Sequence, residues 1–375
     1  MRTVFVAFLL VSVAACSRRS FDDYLSSGKK YLDSKKYGEA AIEFENAARL
    51  DPRSAAVQIS LAETYAALDE PANAAGAYEQ ACRLDERNAA VCLQAASLLL
   101  GLGQFDGAIQ AARAVLAVDR FSLDAQLVLA SALTRTRRFA DAEERIAAVL
   151  AMAPQDPRAY QALADIQRQR GRYKEAEASL RHAVKLDPVQ TAARISLAQL
   201  LFENGRGTEG EREIKAVLAV DPGDVDANRT YASYLVGTEQ CDTSEAYFKE
   251  AAARSNQVSD WLALADFYVW SKRPDEALKV LNEIAARDAS GEVRARMASI
   301  MYDRGDRAGA GAVVDGLVQR DPSNVSGLLL QARMALDAGD TSRARDLVNR
   351  AATIAPSSPA VRDMLAALGD APEQQ

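Results

Sequence analysis

Residues 40–52, AAIEFENAARLDP, return almost unchanged as AEASLRHAVKLDP at 176–188, an interval of 136 residues or four periods of 34. Counted from Phe21 in that period, with units of 33 residues at 225–257 and 258–290, the eighth position reads Gly28, Ala62, Ala96, Ala130, Ala164, Ala198, Ala232, Ala265, Ala298 and Ala332. The twentieth reads Ala40, Ala74, Ala108, Ala142, Ala176, Gly210, Ser244, Ala277, Ala310 and Ala344. A chain that repeats itself with small residues in two fixed places is a stack of one supersecondary unit, and no copy can bury its apolar face alone. The wealth of Ala, Leu, Glu and Arg makes that unit helical. With 49% apolar but only 6% aromatic residues, its core is finely rather than bulkily packed.

The physical reading is a pair of antiparallel helices whose axes approach closely at the small residues, with larger side chains at positions 4, 7, 11 and 24 beside them. Proline near position 32 (Pro52, Pro154, Pro188, Pro222, Pro322, Pro356) stops the second helix. The pattern resembles the tetratricopeptide repeat (TPR), W-x2-L-G-x2-Y, then A-x3-F, then P. Tyr24, Gly28, Tyr31, Ala40, Phe44, Ala47 and Pro52 fall on it in the first unit, and Trp261, Leu264, Ala265, Tyr268, Ala277 and Leu281 in the eighth. The resemblance covers residues 21–358 as ten units: 21–54, 55–88, 89–122, 123–156, 157–190, 191–224, 225–257, 258–290, 291–324 and 325–358. It implies an all-α fold, a right-handed superhelical α-solenoid. Ser358-Pro359 then starts a C-terminal capping helix whose stripe is Val361, Met364, Leu365 and Leu368; Gly369 closes it and 370–375 form a tail. The seventh unit departs from the pattern, with Ser244 at the small site, no terminal proline and one residue fewer, which reads either as a hinge or as drift.

The chain opens MRTVFVAFLLVSVAAC, with a positive Arg2 and an apolar run from Thr3 to Val13 that is too short to span a bilayer. Val13-Ala14-Ala15-Cys16 resembles the lipobox of bacterial lipoproteins. That resemblance implies a signal peptide over 1–15, acylation of the Cys16 thiol, and a short tether over 16–20. The alternative is an ordinary secretory signal cut after Ala15. Ser17 in place of Asp implies the outer membrane, so the expected location is a lipid-anchored position in the bacterial envelope, facing the periplasm.

A net charge of -7 with Lys and Arg spread along the chain argues against a nucleic-acid partner. A single histidine, His182, excludes multi-histidine metal sites, and its helix position points outward; no metal or other cofactor is expected. GLGQFDG at 101–107 lies between two helices rather than after a strand, so it is a turn and no phosphate loop. DPGDVDAN at 221–228 lacks the glycine of a calcium loop. Cys82 and Cys92 read as two buried thiols or, in an oxidising compartment, a disulfide, and Cys241 reads as accessible without catalytic context. No catalytic constellation emerges, so the expectation is a binding protein and not an enzyme.

In TPR proteins the first helix lines a concave groove through positions 2, 5, 9, 12 and 13. The Lys and Asn carboxylate clamp of the chaperone-binding branch is missing here. The groove residues implied by the resemblance are an apolar row, Leu25, Ile59, Leu93 and Leu127; a polar zone, Arg135, Arg158, Gln161, Asp165, Arg168 and Arg229; and an aromatic zone, Phe202, Leu262, Trp270 and Tyr302. The expected ligand is a protein or peptide segment of an envelope complex for secretion, exopolysaccharide export or pilus assembly. The alternative is a polysaccharide in direct contact with the groove.

Overall fold

Small side chains at two positions per repeat let neighbouring helices touch, and the computed structural model follows from that contact. It describes residues 19–238, 240–255, 257–288, 290–356 and 358–369. The leader, Cys16 and the tail 370–375 lie outside the described residues. Ten helix pairs follow one another: α1 (Phe21–Asp33) with α2 (Tyr37–Leu50), α3 (Ala55–Ala67) with α4 (Pro71–Leu84), α5 (Ala89–Gly101) with α6 (Phe105–Val118), α7 (Leu123–Arg135) with α8 (Phe139–Met152), and α9 (Pro157–Gln169) with α10 (Tyr173–Leu186). Then come α11 (Thr191–Glu203) with α12 (Gly207–Val220), α13 (Val225–Gly237) with α14 (Cys241–Arg254), α15 (Val258–Trp270) with α16 (Pro274–Ile284), α17 (Glu292–Asp303) with α18 (Arg307–Arg320), and α19 (Val325–Asp337) with α20 (Thr341–Ile354). A single helix, α21 (Pro359–Ala367), ends the series. The fold is the expected all-α solenoid of TPR units. Two compact blocks divide the chain, residues 1–193 and 194–375.

Alanine at the eighth and twentieth positions is buried in every repeat that carries it, as is Ser244. Glycine stands at these sites only twice more, and each time an aromatic ring takes the space. A methyl group on Gly28 would lie 2.5 Å from the Phe44 ring, and one on Gly210 would lie 2.4 Å from Phe202. The turns between paired helices need a left-handed residue, supplied by Gly103, Gly171, Gly205, Gly305 and Gly339 but also, with φ near +60°, by Lys35, Asp69, Arg137 and Lys272.

One repeat is joined to the next by a second periodic device. Ser54, Asn88, Ser122, Asp224 and Asn324 each cap the following helix by accepting from a backbone N–H three residues on. The fourth position, tryptophan in the family pattern, is used for a tether to the turn before it. Tyr160 Oη donates to Pro154 O at 3.0 Å, Gln126 Nε2 to Arg120 O at 3.3 Å, Asn228 Nδ2 to Pro222 O at 2.9 Å, and Arg294 Nη1 to Asp288 O at 3.1 Å. Each acceptor lies six residues back. In the third repeat the fourth position is Cys92, and there the tether is covalent. Cys92 forms a disulfide with Cys82, with Cα atoms 4.8 Å apart. The reading of two buried thiols is thereby corrected: the last turn of α4 and the first turn of α5 converge closely enough to bond.

The repeat is broken between α16 and α17, one unit after the seventh. Helix α16 is only 11 residues long, and Gly291 begins α17 in a left-handed conformation. Asp288, buried in this turn, accepts from the backbone N–H groups of Gly291 (3.0 Å) and Val293 (2.8 Å), doing the work of the missing cap. At the far end α21 lays Val361, Met364, Leu365 and Leu368 on the last pair, giving the array the covered terminus that a solenoid requires.

Gly28→Ala gains about 1 kcal/mol of helix propensity but forces the fully buried Phe44 ring to move, costing about 1–3 kcal/mol. Gly76→Ala, mid-helix with nothing within 4 Å, carries only the gain. Thermal unfolding is expected to show Tm falling for the first variant and rising for the second.

Candidate partner-binding face

The first helix of each pair contributes the face on which the candidate ligand-binding residues sit, and successive first helices are neighbours within a block: α5 packs on α7, α7 on α9, α15 on α17 and α17 on α19. In the first block Leu25, Ile59, Leu93 and Leu127 are each half-buried. Leu25 packs on the core of the first two repeats, and Ile59, Leu93 and Leu127 on the core running from the second repeat to the fifth. Each leaves one flank open. Helix α5 carries no charged residue, so the centre of this row is uncharged.

Polar residues behave differently: most of them hold one another. Arg158 reaches from α9 to Asp124 of α7 (2.7 Å) and also clamps its own cap residue Asp156 (2.8 Å), which lowers the Asp156 carboxyl below its usual range. Asp165 accepts from Arg168 at 3.2 Å and from Gln169 at 3.3 Å. Gln161 is half-buried beside them. Arg135 is exposed, with its guanidinium 5.7 Å from the Phe105 ring.

In the second block the same stitching recurs between neighbouring first helices. Gln199 donates to Thr230 (3.0 Å), Arg229 to Asp260 (2.6 and 3.0 Å), Arg296 to Asp266 (2.6 Å), and Arg333 pairs with Asp303 (2.8 Å). Tyr302, 7% exposed, donates its hydroxyl to Asp337 at 2.6 Å, and the guanidiniums of Arg307 and Arg333 lie 5.7 and 5.4 Å from its ring. Phe202 stacks on Tyr234 at 3.8 Å, and Tyr234 lies 6.4 Å from Tyr231. Leu262 is half-buried on the core of this block. Trp270 stands apart from these, 52% exposed at the end of α15.

The arrangement therefore offers two open features, the half-buried Leu/Ile row and Trp270, while Arg158, Arg229 and Tyr302 are engaged within the protein. These cross-links went unread in the sequence although they leave a signal: complementary groups 30–35 residues apart, such as Asp124 and Arg158, Arg229 and Asp260, Asp266 and Arg296, Tyr302 and Asp337. His182 is exposed and meets Tyr160 edge-on at 4.3 Å. The Cys241 side chain lies outside the described residues. Among the described residues no group of three or more His, Cys, Asp or Glu side chains could hold a metal ion, and no helix is long and apolar enough to cross a membrane.

Tetratricopeptide repeat family models match residues 99–166, 167–234 and 235–300, and a second such model matches 25–89 and 296–359. The chain belongs to the tetratricopeptide repeat family, a class of protein–protein interaction scaffolds. Among solved structures it is similar to a tetratricopeptide repeat protein from Parabacteroides merdae ATCC 43184, with a TM-score of 0.55 and 16% identity over 66% of this chain and 96% of that one. Yeast Tom70 is similar over 93% of this chain and 89% of its own, with a TM-score of 0.51 and 15% identity. At these identities the likeness is one of fold. No curated protein sequence matches the chain.

Two expectations follow. Arg229→Ala strands the Asp260 carboxylate, 2% exposed, and costs on the order of 3 kcal/mol, toward the lower end for a broken buried pair because Arg229 keeps one flank in water. Arg296→Ala, whose partner Asp266 is 55% exposed, costs about 1 kcal/mol or less, and denaturant titration of the two variants measures both. The second concerns Glu245, held down to about 2 by Arg273 first, with Lys249 and Tyr268 contributing. A depressed carboxyl stabilises the fold above its ordinary value near 4.5 and loses that contribution as pH falls toward 2. Glu245→Gln is expected to be less stable at neutral pH and to lose stability less steeply through that window.

Proposed function

We propose that this protein is a membrane-anchored scaffold of a bacterial envelope, tethered by an acylated Cys16 and holding a protein or peptide segment of a secretion, exopolysaccharide-export or pilus complex on its first-helix face. The observation that carries the reading is the half-buried Leu/Ile row of the first block, open on one flank and uncharged at its centre; in the second block Trp270 is exposed on a first helix joined to its neighbours by ion pairs. Apolar and aromatic side chains with open flanks are what a peptide anchors on. The Cys82–Cys92 disulfide supports export, since such bonds persist in oxidising compartments and are rare where glutathione keeps thiols reduced. The sequence around Cys16 supports the outer membrane as the destination.

A photo-reactive residue in place of Trp270, activated in cells, is expected to yield one envelope-protein adduct that unlabelled protein competes away. Adducts only from second-helix positions would reject this face, and saccharide adducts would favour the direct polysaccharide reading. Mass spectrometry of the mature N-terminus should find a diacylglycerol thioether on Cys16, absent from Cys16→Ser.

A further inference from the structure

Among the described residues no repeat precedes the first helix pair, and none of them places a helix over the face of α1 that inner repeats bury. A single side chain lies across it instead. Arg19 donates to Glu43 of α2 at 2.9 Å and to Ser27 of α1 at 2.6 Å, with its guanidinium 4.5 Å from the Tyr24 ring. The chain is thereby pinned to the end of the array at residue 19. Cys16 is three residues earlier and so within about 11 Å of that point, whatever path the chain takes.

Lysine is concentrated at this same end. Lys29, Lys30, Lys35 and Lys36 are four of the chain's ten lysines, and the next along the sequence is Lys174. Taken together Lys and Arg read as scattered; lysine alone is not. All four are exposed at the end of α1 and in the turn to α2, and among the described residues none of their ammonium groups enters an ion pair. The acidic residues nearby are Asp22, Asp23, Asp33 and Glu39; Asp23 is engaged in a capping box with Ser20 in the first turn of α1, about 10 Å along the helix from Lys30. The arginines of this protein are largely committed to carboxylates in fixed geometry, whereas a hydrated ammonium on a flexible stem suits a mobile anionic surface. Tyr24 and Tyr31, half-buried on the same helix, add the amphipathic rings favoured at a lipid–water boundary.

We infer that the first helix pair carries a docking face for anionic phospholipid headgroups, with Lys29, Lys30, Lys35 and Lys36 as its contacts, while Arg19 holds the preceding chain on the same helix pair. The inference rests on the reading of Cys16 as a lipid anchor. It adds an orientation: the first helix pair lies on the bilayer instead of hanging from a loose tether.

The test uses the mature polypeptide, residues 16–375, with Cys16 left unacylated, floated with vesicles of phosphatidylglycerol and phosphatidylcholine or of phosphatidylcholine alone. Binding to the anionic vesicles at low salt is expected, with loss at about 0.5 M salt. A Lys29→Gln, Lys30→Gln, Lys35→Gln, Lys36→Gln variant should bind at least about tenfold more weakly. The charge-matched variant Lys174→Gln, Lys185→Gln, Lys272→Gln, Lys279→Gln should bind like the unsubstituted chain, and all three should share one Tm. Equal binding by the two variants overturns the inference, as does no preference for anionic vesicles. Lysine-dependent capture of an acidic protein without vesicle binding overturns it in favour of a protein partner. Because the chain is unacylated here, this failure is separate from that of the anchor reading, which the mass of the Cys16 peptide decides.

Discussion

The close approach of two helices at positions 8 and 20 of each repeat is the contact on which everything else in this protein depends. Alanine there lets the axes come together, but an alanine contact buries little area, so no pair is stable by itself. Each pair must be completed by its neighbours. Larger side chains at the flanking positions knit successive pairs into cores that cross repeat boundaries, such as the one running from Ala75 to Ile166. The two glycine exceptions show how tight the contact is, since Phe44 and Phe202 occupy the volume a methyl group would need.

A stack held by nearest neighbours needs its joints controlled, and the fourth position of the repeat supplies that control in several chemistries. Tyr160, Gln126, Asn228 and Arg294 all bind a carbonyl six residues back, and Cys92 achieves the same end with a disulfide. The family's tryptophan position thus tolerates variety because the requirement is to span a fixed gap. A second set of joints, the Arg–Asp and Tyr–Asp links between neighbouring first helices, lies on the face proposed to bind a partner. Those links satisfy most of its polar groups and leave the apolar row and Trp270 as the open chemistry. On the first helix pair, Arg19 ties the preceding chain to Glu43 and Ser27.

The repeat class was legible in the residues because small side chains at a fixed interval are a direct imprint of helix packing. The candidate face was less legible. Arg229 and Tyr302 look from the sequence like free anchors, yet their partners, Asp260 and Asp337, lie 31 and 35 residues away in the next repeat. Reading each repeat by itself hides such a pair. The same holds for the break between α16 and α17, where Asp288 replaces a cap that the period places elsewhere.

By itself, then, the sequence determined that this chain is all-helical and built of stacked pairs, since helix propensity and close packing act locally and recur with the period. Only the tertiary structure decided that Cys82 bonds Cys92, which charges cancel, and which aromatic stays open to solvent. Those outcomes depend on how one repeat is set against the next, a geometry of angles and reach that no single period of the sequence contains.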